Sequence, residues 1–176
     1  MEHLAELIRR KNLIDAEITS IINRPAQIGH AGEYIAALIF DIQLVQSAAH
    51  KAIDGHFRSE PLAGKSVNIK WYTRHEGLLD ITPEELPDYY LVMNGPKTTP
   101  SSSREQHRPW SIRQVYLFPA AELVAALLER GTAKIGIATS VPQSFWNPAQ
   151  IYPQNNSTHL LITPDQARQI ALFQLE

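Results

Sequence analysis

The chain reads as an α/β sandwich built around a short mixed sheet. Helical periodicity governs the first fifty residues. Four runs of branched and aromatic residues fill the middle, at 52–58, 66–73, 88–94 and 112–118, each bounded by Gly, Pro or Ser. Helical spacing then returns after Phe118. The resulting order, α-α-β-β-β-β-α-β-α, lacks the strict alternation of a doubly wound fold.

Over residues 2–22, Leu4, Leu7, Ile8, Ile14, Ile18 and Ile21 or Ile22 gather near one helical face. Pro25 ends that helix, because it has no N–H to donate and its ring clashes with the preceding turn. A second helix is predicted from Ala31 to Ala49, with Ile35, Leu38, Ile42 and Val45 at three- and four-residue steps and Glu33 in its first turn. After the four strands, "FPAAELVAALLERG" places Leu123, Ala126, Leu127 and Arg130 at helical spacing and ends on Gly131, a good C-terminal stop. "KIGIATS" is a further strand candidate. "TPDQARQIALFQL" predicts a closing helix, with Thr163 as N-cap and Pro164 at the first position. "GPKTTPSSSREQHRP" is the one loose stretch, and loops of that length in compact domains are often functional. With no repeat and no linker, residues 1–176 are expected to form one domain. It comprises an N-terminal helix (1–24), a core (29–140) and a C-terminal extension with a helix (141–176).

At 176 residues and 44% apolar, the chain can bury a core without staples. It has no cysteine, which excludes disulfides and thiolate metal sites. The N-terminus mixes acids and arginines among its apolar residues, unlike a signal peptide, and no apolar run is long enough to span a bilayer. These features predict a cytoplasmic protein with no membrane partner. A net charge of −2 argues against coating nucleic acid by bulk electrostatics but leaves room for a local basic cleft. Between Asn94 and Gln114, Lys97, Arg104, Arg108 and Arg113 face only one acid, Glu105, with His107 alongside. That cluster is either a solvated loop or a phosphate-binding one.

The chemistry concentrates in "AIDGHFRSEPLAGKSVNIKWY". Its "GKS" matches the end of a phosphate loop, yet Ser59 stands where the first glycine belongs, Pro61 lies inside, and "VNIKWY" continues as a strand rather than a helix. Without a helix N-terminus the backbone donors do not converge on phosphate, so "PLAGKS" is predicted to be a turn. The ends of the stretch are more informative. Asn68 and Lys70, two apart on a strand, share a face, and Asp54 on the paired strand can join them. An acid, a second oxygen ligand and a lysine on one sheet face are the parts of metal-assisted phosphodiester hydrolysis. Mg²⁺ takes hard oxygen ligands and polarises the phosphoryl group, while a lysine orients the water or steadies developing charge.

A helix with Glu33, a strand with Asp54-Gly55, a hairpin, a strand "VNIK", a strand "DYYLV" and then a helix resemble the PD-(D/E)XK nuclease superfamily, over roughly residues 29–140. The resemblance implies a three-layer restriction-endonuclease-like core, its short mixed central sheet flanked by helices, plus the N-terminal helix. It further implies a Mg²⁺- or Mn²⁺-dependent endonuclease acting on DNA, with a restriction or defence role. Asp54, Asn68 and Glu33 would be the metal ligands; Asp54, Glu33 and Lys70 would be the catalytic residues. One departure is that Asn68 stands where the pattern usually has a carboxylate. The same substitution fits an inactive relative that binds nucleic acid or a protein partner.

Several residues carry two readings. Lys70 is either catalytic or a structural lysine paired with Asp54. Glu33 is either a ligand or an acid suited to a helix N-terminus. Asp80 and Asp88 are surface or strand-start acids, with a ligand role in reserve. His30, Tyr72, Arg74, Lys97, Arg104 and Arg108 are the candidate nucleic-acid contacts. His56 shares Asp54's strand face and reads as a surface histidine. The apolar stripe of the first helix makes it a candidate surface for a homodimer. No Gly-x-Ser-x-Gly elbow and no His-Glu-x-x-His pair is present.

Overall fold

The computed structural model describes residues 1–45, 52–97, 107–132 and 134–175. It has the α/β architecture that the sequence predicts, with a mixed six-stranded sheet between two helical layers. Helix α1 (Glu2–Ile22) ends at Asn23, which turns left-handed (φ 54°) ahead of Pro25. Helix α2 (Ile28–Phe40) follows.

Here the structure corrects the sequence reading. The second helix stops at Phe40 instead of running on to Ala49. Asp41 turns left-handed (φ 52°), and its carboxylate accepts hydrogen bonds from Arg58 and Ser59. Ile42–Leu44 then form strand β1. The far end of the expected helix, 46–49, lies outside the described residues.

The remaining strands are β2 (Gly55–Phe57), β3 (Ser66–Tyr72), β4 (Leu78–Leu79), β5 (Tyr89–Asn94), β6 (Gln114–Pro119), β7 (Thr139–Ser140) and β8 (Gln150–Tyr152). The main sheet has the order β1-β2-β3-β5-β6-β8 and is antiparallel except for β3 and β5, which run parallel from Val67 opposite Tyr89 to Tyr72 opposite Asn94. "PLAGKS" is the β2–β3 turn, with Gly64 at φ 78° and Ser66 opening a strand.

Strand alternation divides the core in two. Val67, Ile69, Trp71, Leu91, Met93 and Leu117 pack in one cluster with α2 and with α5 (Pro164–Ala171). Tyr90, Val92, Tyr116 and Phe118 pack in the other with α3 (Ala120–Glu129) and α4 (Gln143–Ala149). Asn68, Lys70 and Tyr72 share the parity of the second face. On the first, α2 lies unusually close to the sheet because Gly32 has no side chain. A Cβ there would stand 3.0 Å from Trp71 Cβ and 3.3 Å from Met93 Cε.

"KIGIATS" contributes only Thr139–Ser140, which pair with β4 in a separate two-stranded sheet. Besides β1, which the sequence reading placed in a helix, three elements had no counterpart there, β4, α4 and β8. Fully buried Trp146 anchors α4. Its Nε1 donates to Val141 O, and its ring meets Tyr116 and Phe118 edge-on. Through β8 and α5 the segment after residue 140 belongs to the main sheet and core, since Ile151, Tyr152 and Ile170 are buried with α2. The closing helix has the expected cap. Thr163 Oγ accepts from Gln166 N while Gln166 Oε1 accepts from Thr163 N.

Candidate active site where two strands part

Strands β2 and β3 pair only briefly, Gly55 with Val67 and His56 with Ser66. One residue earlier, Asp54 N still donates to Val67 O, but its side chain takes over from there. Asp54 Oδ2 accepts the Ile69 N–H at 2.6 Å. A carboxylate thus fills the ladder position that a further strand residue would have filled. Gly55 allows the sharp approach, because a Cβ there would lie 2.6 Å from Ile42 Cγ2 and 2.7 Å from Gln43 O.

Charges converge on Asp54. Burial pushes its carboxyl above the usual carboxylate range and the nearby negative charge of Glu33 adds to the effect. The Ile69 N–H, Lys70 and Arg24 pull the other way without overcoming it. Glu33 comes from α2 and Lys70 from β3. Glu33 is itself ion-paired with Arg24 and its side chain is only 19% exposed. Arg24 was not foreseen. A lone arginine before a proline carries no pattern, and only the fold shows which acid it meets.

Lys70 is half-buried, and among the described residues it makes no ion pair or hydrogen bond. The structural reading of Lys70, a salt bridge to Asp54, is therefore not what the geometry shows. The two charges act on each other without a direct contact.

Asn68 is 4% exposed. Its Nδ2 donates to Ala52 O at 3.1 Å, which fixes the amide orientation, since only the NH₂ end can donate to a carbonyl. The Oδ1 that remains is buried with no hydrogen-bond partner. A buried amide oxygen without a donor is costly unless something supplies one. The described residues likewise send no hydrogen bond to Asp54 Oδ1. Asn68 Oδ1 and Asp54 Oδ1, neither bonded by a described residue, are hard oxygens of the kind Mg²⁺ takes, and Glu33, from α2 on the other face of the sheet, could join them only if released from Arg24. Among the described residues no three acidic or histidine side chains form a ready cage, so the donor set is one amide and at most two carboxylates.

The other candidates are dispersed. His30 Nδ1 lies 2.9 Å from Pro25 O, tied to the turn before α2. Tyr72 OH accepts from Asp80 N at 3.0 Å, and burial holds its phenol well above the ordinary range. Tyr72, Arg74, Asp80 and Arg108 line a cleft of about 210 Å³ farther along β3, with Leu78 and Ala138. Arg74 is buried, Arg108 exposed. Lys97 is exposed and bridges to His75 through the backbone. Arg104 lies outside the described residues, and His56 is exposed.

Asp80 and Asp88 are committed elsewhere. Asp80 Oδ1 accepts from Ala138 N, and the Asp88 carboxylate accepts from Ser66 N, Ser66 Oγ and Lys65 Nζ. No helix of the described chain is long and apolar enough to cross a membrane. No protein-family model matches the chain, and no curated protein matches it at a significant level.

Proposed function

We propose that the chain is a metal-dependent nuclease of the PD-(D/E)XK type that hydrolyses phosphodiester bonds in DNA. The observation that carries this reading is the pair at the parted strands. A half-buried carboxylate, Asp54, is destabilised in its charged form, and a half-buried amine, Lys70, acts on it electrostatically while making no ion pair or hydrogen bond among the described residues. Asp54 and the free oxygen of Asn68, with Glu33, would hold Mg²⁺ or Mn²⁺. When bound, that ion would polarise the phosphoryl oxygen and acidify a water. Lys70 would donate to the attacking water or to a non-bridging oxygen, fixing its position and offsetting charge. Arg24, ion-paired with Glu33, would hold that carboxylate in place beside the site. Tyr72, Arg74 and Arg108, lining the adjoining cleft, would meet the strand, and Lys97 and Arg104 would extend the basic surface.

One observation favours a second reading, a non-cutting module that keeps the fold to bind nucleic acid or a protein. Asn68 brings no charge, and Glu33 is already neutralised by Arg24. A cleavage assay distinguishes the two. Supercoiled and linear DNA are incubated with purified protein in Mg²⁺ or Mn²⁺, beside Lys70→Ala and Asp54→Ala. The nuclease reading expects cutting that both variants lose by at least about a hundredfold. Intact DNA with every metal, or equal cutting by wild type and Lys70→Ala, sinks it.

A further inference from the structure

Helix α1 has no buried residue, alone among the helices of the described residues. Leu4, Leu7, Ile8, Ile14 and Ile21 are 44–64% exposed. Its sequence is a heptad in disguise. Leu4, Leu7, Lys11, Ile14, Ile18 and Ile21 alternate at three- and four-residue steps, as the two core positions of a coiled coil do. We propose that α1 pairs with the α1 of a second copy of this chain, antiparallel, to form a two-helix seam.

Lys11 sets the orientation. In a parallel pair it would face its own copy across the seam, like charge against like. In an antiparallel pair about the helix centre, Lys11 instead lies beside the second copy's Ile14, with Leu4 against Ile21 and Leu7 against Ile18. Its apolar stem can cover the seam while its amine stays on Asp15, with which it is ion-paired.

The flanking charges agree. Glu6 pairs with Arg9 and Lys11 with Asp15 within the helix, whereas Arg10 and Glu17 have no ion pair among the described residues. Arg10 and Glu17 occupy the same flanking heptad position. In the antiparallel register each Arg10 meets the second copy's Glu17, twice by symmetry. Parallel pairing would direct Arg10 to Asp15, which is already engaged.

The test uses the full chain, which contains no cysteine. Sedimentation across the micromolar range should show a concentration-dependent dimer, and Ile14→Asp should render it monomeric. The aromatic circular dichroism of buried Trp146 would confirm that this variant is folded. Mixing Leu4→Cys chains with Ile21→Cys chains should give a crosslinked heterodimer on oxidation. Leu4→Cys alone should not crosslink, since an antiparallel pair separates the two copies of residue 4 by about 25 Å. Arg10→Glu should weaken the dimer at least about fivefold and Glu17→Arg in the same chain should restore it. A wild-type monomer at every concentration, a dimer indifferent to Ile14→Asp, or efficient self-crosslinking of Leu4→Cys would each overturn the proposal.

Discussion

The side chain of Asp54 completes the β3 ladder by accepting the Ile69 backbone N–H, so one half-buried carboxylate ends the strand pairing. The two features conflict energetically. The hydrogen bond favours the ionised form, while burial and Glu33 disfavour it more.

Asp54→Asn should therefore stabilise the fold at neutral pH, because the amide oxygen can still accept from Ile69 without carrying charge. The sign follows from proton binding. A carboxyl raised above its unfolded value of about 3.8 binds more protons when folded, so unfolding free energy falls as pH rises through that interval. The wild-type penalty is complete above the folded value and vanishes below the unfolded one. Urea melts at pH 7 and pH 3 should show an advantage for Asp54→Asn at pH 7 that disappears at pH 3. A variant less stable than wild type at pH 7 refutes this.

Asn68→Asp replaces a neutral donor with a buried acid. Without metal it should cost about 1–3 kcal/mol, since Ala52 O loses its donor and a third carboxylate joins Asp54 and Glu33. Mg²⁺ or Mn²⁺ should then raise the melting temperature of the variant more than that of wild type. Equal metal shifts would mean that residue 68 does not face the cation.

Gly32→Val tests the seating of α2. The added carbons meet Trp71 and Met93, so the helix must lift, at a cost of about 1–3 kcal/mol. Glu33 moves with it, and DNA cleavage should drop more than stability alone accounts for. Gly29→Ala is the control. A Cβ there meets nothing within 4 Å, so the change should be neutral or stabilising by up to about 1 kcal/mol.

His75 predicts a separate acid sensitivity. Its ring sits 4.7 Å from Trp146 and 5.6 Å from Tyr116, and Asn94 Nδ2 lies 2.8 Å from its Nδ1. Burial, helped by Lys97, holds its pKa below the ordinary 6.5. The unfolded chain then binds more protons just below pH 6.5, so stability should decline as pH falls through that value. His75→Gln should flatten the urea midpoint between pH 7 and pH 5 relative to wild type.

Strong periodicity was legible in advance. The apolar stripe of α1, the Thr163 cap and the branched run from Val67 to Trp71 each carry their structure locally. The end of α2 was not, because Ile42 and Val45 continue the helical spacing and only the distant Arg58 and Ser59 fix Asp41 in its left-handed turn. Helix α4 was hidden by Pro148 and by its length of 7 residues, which tertiary burial of Trp146 sustains. At the site, the shared parity of Asn68 and Lys70 was legible from their spacing. The tether from Asn68 to Ala52, the pairing of Glu33 with Arg24 and the lack of contact between Lys70 and Asp54 depend on where the strands part, and no local pattern encodes that.

Gln166 does more than begin the last helix. Its Nε2 also donates to Ile39 O at 2.9 Å, near the end of α2. One amide thereby latches the chain's tail to the helix that carries Glu33, so trimming after residue 162 would unfasten the acid from the opposite end of the polypeptide.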